Sequence, residues 1–196
     1  MRAYVHGNRP VFFEGRASRI YDFLARRPLR RLYRRIADDL VEFIPAGADV
    51  LDVGTGPGVL LVELAERRPD LRVTGVDLSA DMVAAARRNT GRFGDRVSAQ
   101  IADVARLPFA DDSFDAVVTS YSMHHWDDPA GAVPELDRVL RPGGRLYVYD
   151  FELAPFDVLT RTASERGVLA GAPVRTTTIQ TGVPFFSSCV RQTMTA

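Results

Sequence analysis

The spacing of apolar residues changes along the chain. From Leu29 to Ile44 they recur every three to four positions, which is the pattern of one face of an amphipathic helix. From residue 49 to about residue 150, short apolar runs alternate with helical segments. The runs that predict strands are 50–53, 71–76, 97–101, 114–119 and 145–149. This alternation predicts right-handed crossovers and a doubly wound, mostly parallel α/β sheet.

The carboxyl-terminal tail has a different pattern. A short helix is predicted from about Phe156 to Arg166, and two β-rich runs follow at 174–179 and 185–194. A Gly-Val-Pro segment at 182–184 separates these runs. We therefore expect the parallel sheet to end in one antiparallel hairpin.

Local signals set boundaries inside the sheet region. Ser79 is expected to cap a helix, with Leu78 and Val83 at the positions of a hydrophobic staple. The Asp-Pro pair at 128–129 opens a helix that is expected to run to Leu140. Residues 141–144, RPGG, predict a type II turn, so the last parallel strand is expected to start after it.

Composition excludes several kinds of chemistry. All 25 basic residues are arginine, so lysine Schiff-base chemistry is excluded. Cys189 is the only cysteine, which rules out an intrachain disulfide and a multi-cysteine metal site, and we predict no metal centre. No apolar run is long enough to insert in a membrane and no leader segment is visible. A cytoplasmic location is expected.

The charge is distributed unevenly. Residues 1–44 hold ten arginines against five acidic residues. Nucleic-acid binding is one interpretation of this excess. A solvated helix edge is the favoured one, because the apolar positions form a continuous face. On that edge Arg34 is placed to pair with Asp38 one turn later. Arg35 is placed in the same way for Asp39.

Residues 50–59, VLDVGTGPGV, carry the strongest functional signal. A strand runs into a loop with glycine at alternate positions and then into a helix, which is typical of a cofactor loop at the carboxyl edge of a parallel sheet. A nicotinamide fingerprint starting at Gly54 needs its third glycine at position 59, where the chain has Val59. Asp77, nineteen residues after Gly58, ends the second strand and can accept both hydroxyls of a ribose.

The acidic-x-G-x-G-x-G pattern of residues 52–58 resembles motif I of the class I S-adenosylmethionine-dependent methyltransferases. Further segments resemble later motifs of the small-molecule, type 11-like group in the correct order: 77–82, 103–109, 114–129 and 140–144. The resemblance covers about residues 49–151. It implies a Rossmann-like sheet whose seventh strand runs antiparallel between strands five and six. It also implies S-adenosylmethionine as cofactor and S-adenosylhomocysteine as product.

The resemblance assigns a set of cofactor-binding residues: Tyr21, Asp52, Gly54, Thr55, Gly56, Gly58, Asp77, Leu78, Met82, Asp103, Val104 and Ser120. In the family the acid at position 52 lies near the methionine end of the cofactor, and Asp77 holds the ribose. Leu78 and Met82 are expected against the adenine, and Asp103 at its amino group. Helix capping or a solvated loop position is the alternative role for Asp77 and Asp103.

The methyl acceptor is expected near Ser120 and Tyr121, where the sheet order reverses between strands 1 and 4. His124 and His125 follow directly, and either imidazole is a candidate general base. Helix capping and packing is the alternative role for both. Because displacement at a sulfonium depends first on alignment, we favour positioning by Tyr121 over a general base.

The predicted organisation is a helical lid or extension at 1–45 and one cofactor-binding domain at 46–196. Tyr21 is expected over the amino-acid end of the cofactor, and the aromatic residues around it form either a lid or packing contacts. The sequence thus predicts methyl transfer to an O, N or C atom of a small, partly apolar molecule.

Two competing functions remain open. An RNA methyltransferase acting on an exocyclic amine would want Asn/Asp-Pro-Pro-aromatic after strand 4, where residues 120–123 read SYSM. Ribose or ring-carbon methylation is not excluded by that mismatch. The second is a catalytically silent cofactor-binding module. We expect no nucleic-acid partner and no membrane insertion, and the sequence leaves monomer and homodimer open.

Overall fold

A seven-stranded sheet organises the protein, whose computed structural model describes residues 30–183 and 186–196. The strands lie in the order β3-β2-β1-β4-β5-β7-β6. They are β1 Asp49–Val53, β2 Arg72–Asp77, β3 Val97–Ile101, β4 Phe114–Ser120, β5 Leu140–Asp150, β6 Arg175–Val183 and β7 Phe186–Thr195. Strands β1 to β5 are parallel, and β7 pairs antiparallel with β5 and β6. The predicted mostly parallel sheet with a carboxyl-terminal hairpin is confirmed.

Helices cover both faces of this sheet. They are α1 Arg30–Leu40, α2 Val59–Arg67, α3 Ala80–Thr90, α4 Pro129–Arg138 and α5 Phe156–Arg166, with 3-10 turns at Gly91–Arg96 and Met123–His125. Alternate strand residues belong to separate apolar clusters: Val50 packs with α1, α2 and α3, whereas Leu51 packs with α4 and α5. Within the described residues, no helix is both long and apolar enough to cross a membrane.

The first described helix confirms its predicted apolar face. Its Leu32, Ile36 and Leu40 are buried against the sheet. The predicted pairing of Arg34 with Asp38 and of Arg35 with Asp39 is wrong. Asp38 accepts instead from Nε of Arg67 at 2.7 Å, and Asp39 accepts from Arg191. The acids meet these arginines because α1 packs against α2 and the last strands rather than standing alone in water.

Two boundaries around β5 differ from the prediction. The helix opened by Asp128 ends at Arg138, not at Leu140, and β5 already begins at Leu140. The RPGG segment is an irregularity within this strand and not a separate loop before it. Gly143 keeps the positive φ of a type II turn, 80°. Its N–H donates to the carbonyl of Ala196 at 3.0 Å, so pairing with the chain end extends the strand.

The capping prediction at β2 is confirmed. Oγ of Ser79 accepts the backbone N–H of Met82 and starts α3. Val83 is buried, whereas Leu78, its expected partner in a staple, remains 57 % exposed at the carboxyl edge of the sheet.

Candidate active site

The loop after β1 owes its shape to three glycines with positive φ: 71° at Gly54, 54° at Gly56 and 77° at Gly58. A Cβ at Gly54 would lie 1.8 Å from Oγ of Ser122, and one at Gly58 would lie 3.1 Å from the backbone of Ala86. At Gly56 an added Cβ meets no atom within 4 Å. Two of the glycines therefore allow close packing, and Gly56 alone borders open space.

The carboxylate of Asp77 anchors this loop. Its Oδ2 accepts the N–H of Gly56 at 2.8 Å and its Oδ1 accepts the N–H of Ser79 at 2.9 Å. Burial raises the pKa of Asp77, while these two hydrogen bonds act in the opposite direction. Each carboxylate oxygen keeps accepting capacity beyond one N–H, so Asp77 can brace the loop and still accept hydroxyl groups.

Asp52 is completely buried beneath the same loop. Its Oδ2 accepts from Oγ1 of Thr55 at 2.7 Å, whereas Oδ1 is buried and has no hydrogen-bond partner among the described residues. Burial raises the pKa of Asp52 to about 7, and the charge of Asp77 adds to this shift. A buried acceptor without a donor is costly, so Oδ1 indicates a missing donor at this place.

An apolar ledge lies across β2 and β3 where these strands end. It consists of Leu78, 57 % exposed, and Ile101, 55 % exposed. Met82 is only 2 % exposed and Val104 is half-buried. Asp103 is exposed, and its Oδ1 accepts the N–H of Ala105 at 3.0 Å within a turn, so this residue caps no helix and occupies a solvated loop position. The sequence did not single out Ile101, although it ends a strand beside Asp77.

On the other side of the loop, β4 ends in buried Ser120. The next residue, Tyr121, has a φ of 51°, which is rare for a residue other than glycine and is typical of strained functional segments. Its N–H donates to the carbonyl of Tyr149 at 2.8 Å, and its ring packs edge-on against Phe151 with centroids 4.8 Å apart. Burial raises the pKa of the Tyr121 phenol, so this group stays protonated and is not available to accept a proton.

His124 is held by Asp150, a residue that the sequence did not single out. Asp150 ends β5 and is completely buried. Its Oδ1 lies 2.7 Å from Nδ1 of His124, and its Oδ2 accepts the backbone N–H of His124 at 3.2 Å. A carboxylate on Nδ1 favours the tautomer in which Nε2 carries the free lone pair. The sequence did contain a signal for Asp150, because this acid ends a parallel strand in the same way as Asp77 ends β2.

His125 has a different environment. Its ring centroid lies 4.0 Å from that of His124. Desolvation lowers the pKa of His125, and the neighbouring His124 lowers it further. The two histidines, which the sequence did not distinguish, therefore have different environments. Tyr21 and the other aromatic residues before Arg30 lie outside the described residues.

Comparison with known proteins places the chain in a family. A family model described as a methyltransferase domain matches residues 51–148. This chain belongs to the methyltransferase domain family. The resemblance to class I S-adenosylmethionine-dependent methyltransferases, drawn from the glycine loop, is confirmed by this match.

Three relatives of this methyltransferase domain are informative. It is 34 % identical over 142 residues to the ubiquinone/menaquinone biosynthesis C-methyltransferase UbiE of Geotalea daltonii, covering 69 % of this chain and 60 % of that protein. It is 38 % identical over 136 residues to the 27-O-demethylrifamycin SV methyltransferase of Amycolatopsis mediterranei, covering 67 % and 50 %. The chain therefore spans little more than half the length of these curated relatives. A SAM-dependent methyltransferase from Aquifex aeolicus shares the fold, with a TM-score of 0.70, 19 % identity, and coverage of 91 % of this chain and 96 % of that one.

The site of this methyltransferase domain fits S-adenosylmethionine. The open side of Gly56 leaves room along the loop. Oδ1 of Asp52, which has no partner within residues 30–183 and 186–196, suits the ammonium group of the methionine part. Asp77 has accepting capacity for the ribose, and the ledge of Leu78 and Ile101 offers an apolar surface to the adenine. Among the described residues, no group of three His, Cys, Asp or Glu side chains is arranged to hold a metal ion.

Proposed function

We propose that this protein transfers a methyl group from S-adenosylmethionine to an O, N or C atom of a small, partly apolar molecule. The observation that carries the proposal is one continuous edge of the sheet. On it the buried Asp52 lies on β1 and the open Gly56 lies in the loop that follows β1. His124 follows β4, and its partner Asp150 is the last residue of β5. The names of the quinone and rifamycin methyltransferases among the relatives support an acceptor of this class.

In this proposal the chain holds the cofactor through four groups. Asp52 pairs with its ammonium, Asp77 accepts from its ribose, and Leu78 covers its adenine, with Ile101 beside it. When bound, the cofactor supplies a methyl group on a positively charged sulfonium. The chain aligns the acceptor for in-line displacement and keeps water away, and such alignment can contribute roughly 7 to 11 kcal/mol in favourable systems.

The acceptor side is aromatic and apolar. Phe151 contacts the rings of both Tyr121 and His124, with centroid distances of 4.8 Å and 5.1 Å. Leu153, two residues further on, is 97 % exposed. Exposed apolar groups beside a polar site are typical of surfaces that bind ligands, and they support a partly apolar acceptor.

The contact of His124 with Asp150 favours a general base over pure positioning. With its Nδ1–H held by the carboxylate, His124 can take a proton from an attacking hydroxyl or amine through Nε2. Tyr121 then aligns the acceptor rather than removing its proton, because burial raises the pKa of its phenol. A lid at residues 1–45 and a place for Tyr21 near the methionine end stay predictions, because Tyr21 lies outside the described residues and α1 packs against the sheet. We propose the cytoplasm as the location.

Two measurements test this function. Titration calorimetry with S-adenosylhomocysteine and with NAD is expected to show binding of the first only. Transfer of labelled methyl from S-adenosylmethionine to a panel of small hydroxyl, amine and quinol compounds is expected to label at least one of them. RNA is offered as a substrate in a parallel assay, and labelling of RNA alone would favour the RNA methyltransferase. Cofactor binding without transfer to any compound would favour the silent module.

A further inference from the structure

A basic cleft lies beside the acceptor side of the site. It has a volume of about 330 Å³ and lies between α1 and the end of β6. Its lining consists of Arg31, Arg34, Arg35, Asp38, Thr181 and Gly182. Three guanidinium groups therefore share the cleft with one carboxylate.

Within the part of the chain that the structure describes, acidic neighbours neutralise the positive charge of this cleft only in part. Asp38 lies 2.7 Å from Nε of Arg67, so its negative charge is already paired with an arginine of α2. Arg34 lies 3.6 Å from Glu63, a carboxylate shared with two other arginines. Arg31 and Arg35 make no ion pair within residues 30–183 and 186–196. They stand four residues apart on the exposed side of α1, where like charges destabilise a helix.

The cleft opens at the same edge of the sheet as the acceptor side. Asp150, the last residue of β5, pairs with Val190, while Ser188 pairs with Gln180 of β6. The end of β6 therefore lies beside and beyond the end of β5. The two strands are separated by β7 alone, which corresponds to roughly 10 Å.

The cleft also shares a face of the sheet with Tyr121. The Tyr121 ring packs against the apolar cluster that contains Cys189, Val183 and the buried side of α1. A molecule lying over Tyr121 can thus extend along this face toward the arginines without crossing the sheet.

We propose that this cleft is a subsite for an oxyanion, a carboxylate or phosphate group carried by the methyl acceptor. Arg31 and Arg35 supply the binding charge, because guanidinium groups hold carboxylate and phosphate through paired N–H donors. Arg34 contributes a third positive charge, which Glu63 partly neutralises. The acceptor is then an amphipathic molecule with an apolar part at Tyr121 and Phe151 and an acidic group at the cleft. The role of the anion in the acceptor depends on the proposed function, whereas anion binding itself does not.

The first test measures anion binding without catalysis. Inorganic phosphate and pyrophosphate are titrated calorimetrically at low ionic strength into the full chain and into the double variant Arg31→Gln/Arg35→Gln. We expect affinity to fall about tenfold or more in that variant, as for lost hydrogen bonds to a charged group. The control is Arg88→Gln/Arg175→Gln, which removes the same charge from exposed positions elsewhere and is expected to keep the affinity within about twofold. Equal losses in both variants, or no binding at all, would overturn the subsite.

The second test identifies the source of the anion and separates failure of the subsite from failure of the function. Phosphatidylcholine vesicles are compared with and without phosphatidylglycerol. Binding that requires the anionic lipid and is lost only in Arg31→Gln/Arg35→Gln supports an oxyanion subsite and assigns the anion to a lipid headgroup. Binding of single-stranded RNA that depends on the same two arginines and exceeds phosphate binding would overturn a small-molecule subsite. S-adenosylhomocysteine is expected to bind both double variants like the unchanged chain, and its failure to bind would count against the proposed function alone.

Once labelled methyl transfer has identified acceptors, steady-state kinetics test whether the cleft binds the acceptor. For an acidic acceptor, Arg31→Gln/Arg35→Gln is expected to raise KM about tenfold with little change in kcat, since the lost contact binds ground state and transition state alike. A neutral analogue is expected to show no such rise. An equal rise for both compounds would contradict the assignment of the cleft to the acceptor.

Discussion

Asp150 holds His124 by two contacts, one to Nδ1 of the ring at 2.7 Å and one to the backbone N–H at 3.2 Å. These contacts fix the orientation of the ring, and the carboxylate favours a proton on its Nδ1. This relationship joins the end of β5 to the turn after β4, and it distinguishes His124 from His125.

Replacement of the two histidines is expected to give unequal results. His124→Ala should lower kcat about 10²- to 10⁴-fold and flatten the acidic limb of the pH–rate profile, since it removes the proton acceptor. His125→Ala should retain activity within about tenfold, and S-adenosylhomocysteine should bind both variants normally. Similar small losses in both variants, with an unchanged pH profile, would support positioning without a base.

Asp150→Asn tests the positioning contact separately. The amide keeps the size of the side chain but no longer selects the tautomer with Nδ1–H, so kcat is expected to fall about 10²-fold. Nitrogen NMR of the labelled imidazole should show the change of tautomer in the same variant. A normal tautomer together with lost activity would mean that Asp150 acts only through the fold.

Gly56 is expected to be critical for the cofactor, and Gly47 provides a matched control. Both have positive φ, 54° and 70°, and an added Cβ meets no atom within 4 Å at either position. Val at either site therefore strains the backbone by roughly 1 to 2 kcal/mol. Only Gly56→Val should abolish S-adenosylhomocysteine binding, while circular dichroism shows both variants folded. Equal binding by the two variants would place the cofactor away from this loop.

Asp77→Ala should weaken S-adenosylhomocysteine binding by about 1.5 to 3 kcal/mol, through lost hydrogen bonds to a charged group. Because Asp77 also anchors Gly56 and Ser79, the same change is expected to lower the melting temperature. Asp77→Asn separates the two roles, since its single carbonyl oxygen can keep only part of this network. Calorimetry and thermal denaturation on both variants measure the two effects. A lower melting temperature with unchanged affinity would make Asp77 a purely structural residue.

The sheet and the cofactor loop could be predicted from the sequence because their signals are local. Apolar runs mark the strands, and the glycine spacing fixes the loop between β1 and α2. Glycine also permits the positive φ found at Gly54, Gly56 and Gly58. The start of β5 could not be predicted, because the pairing of Gly143 with Ala196 joins residues far apart in the chain.

The acceptor side could be predicted only in part. Tyr121 and His124 could be predicted because they follow the end of a strand. The pairing of His124 with Asp150 could not, because it requires β4 and β5 to be neighbours in the sheet. The pairing of Asp39 with Arg191 likewise crosses most of the chain. The depth of burial, which separates Met82 from Leu78, is set by packing and leaves no local signal.

Asp52 is expected to make cofactor binding depend on pH. Its pKa is raised from 3.8 to about 7 by burial, so the free folded protein carries a neutral carboxyl below that value. Pairing with an ammonium group requires the charged form, and affinity for S-adenosylhomocysteine should therefore fall about tenfold for each pH unit below about 7. In the unfolded chain Asp52 ionises near pH 3.8, whereas in the folded protein it stays protonated up to about pH 7. The free energy of unfolding should therefore decline as pH rises between pH 3.8 and about 7. Calorimetry in buffers of different ionisation enthalpy should detect proton release on binding near pH 6. Asp52→Asn should bind weakly at every pH without proton release and lose the stability decline, and a pH dependence that persists in this variant would assign the titration to another group.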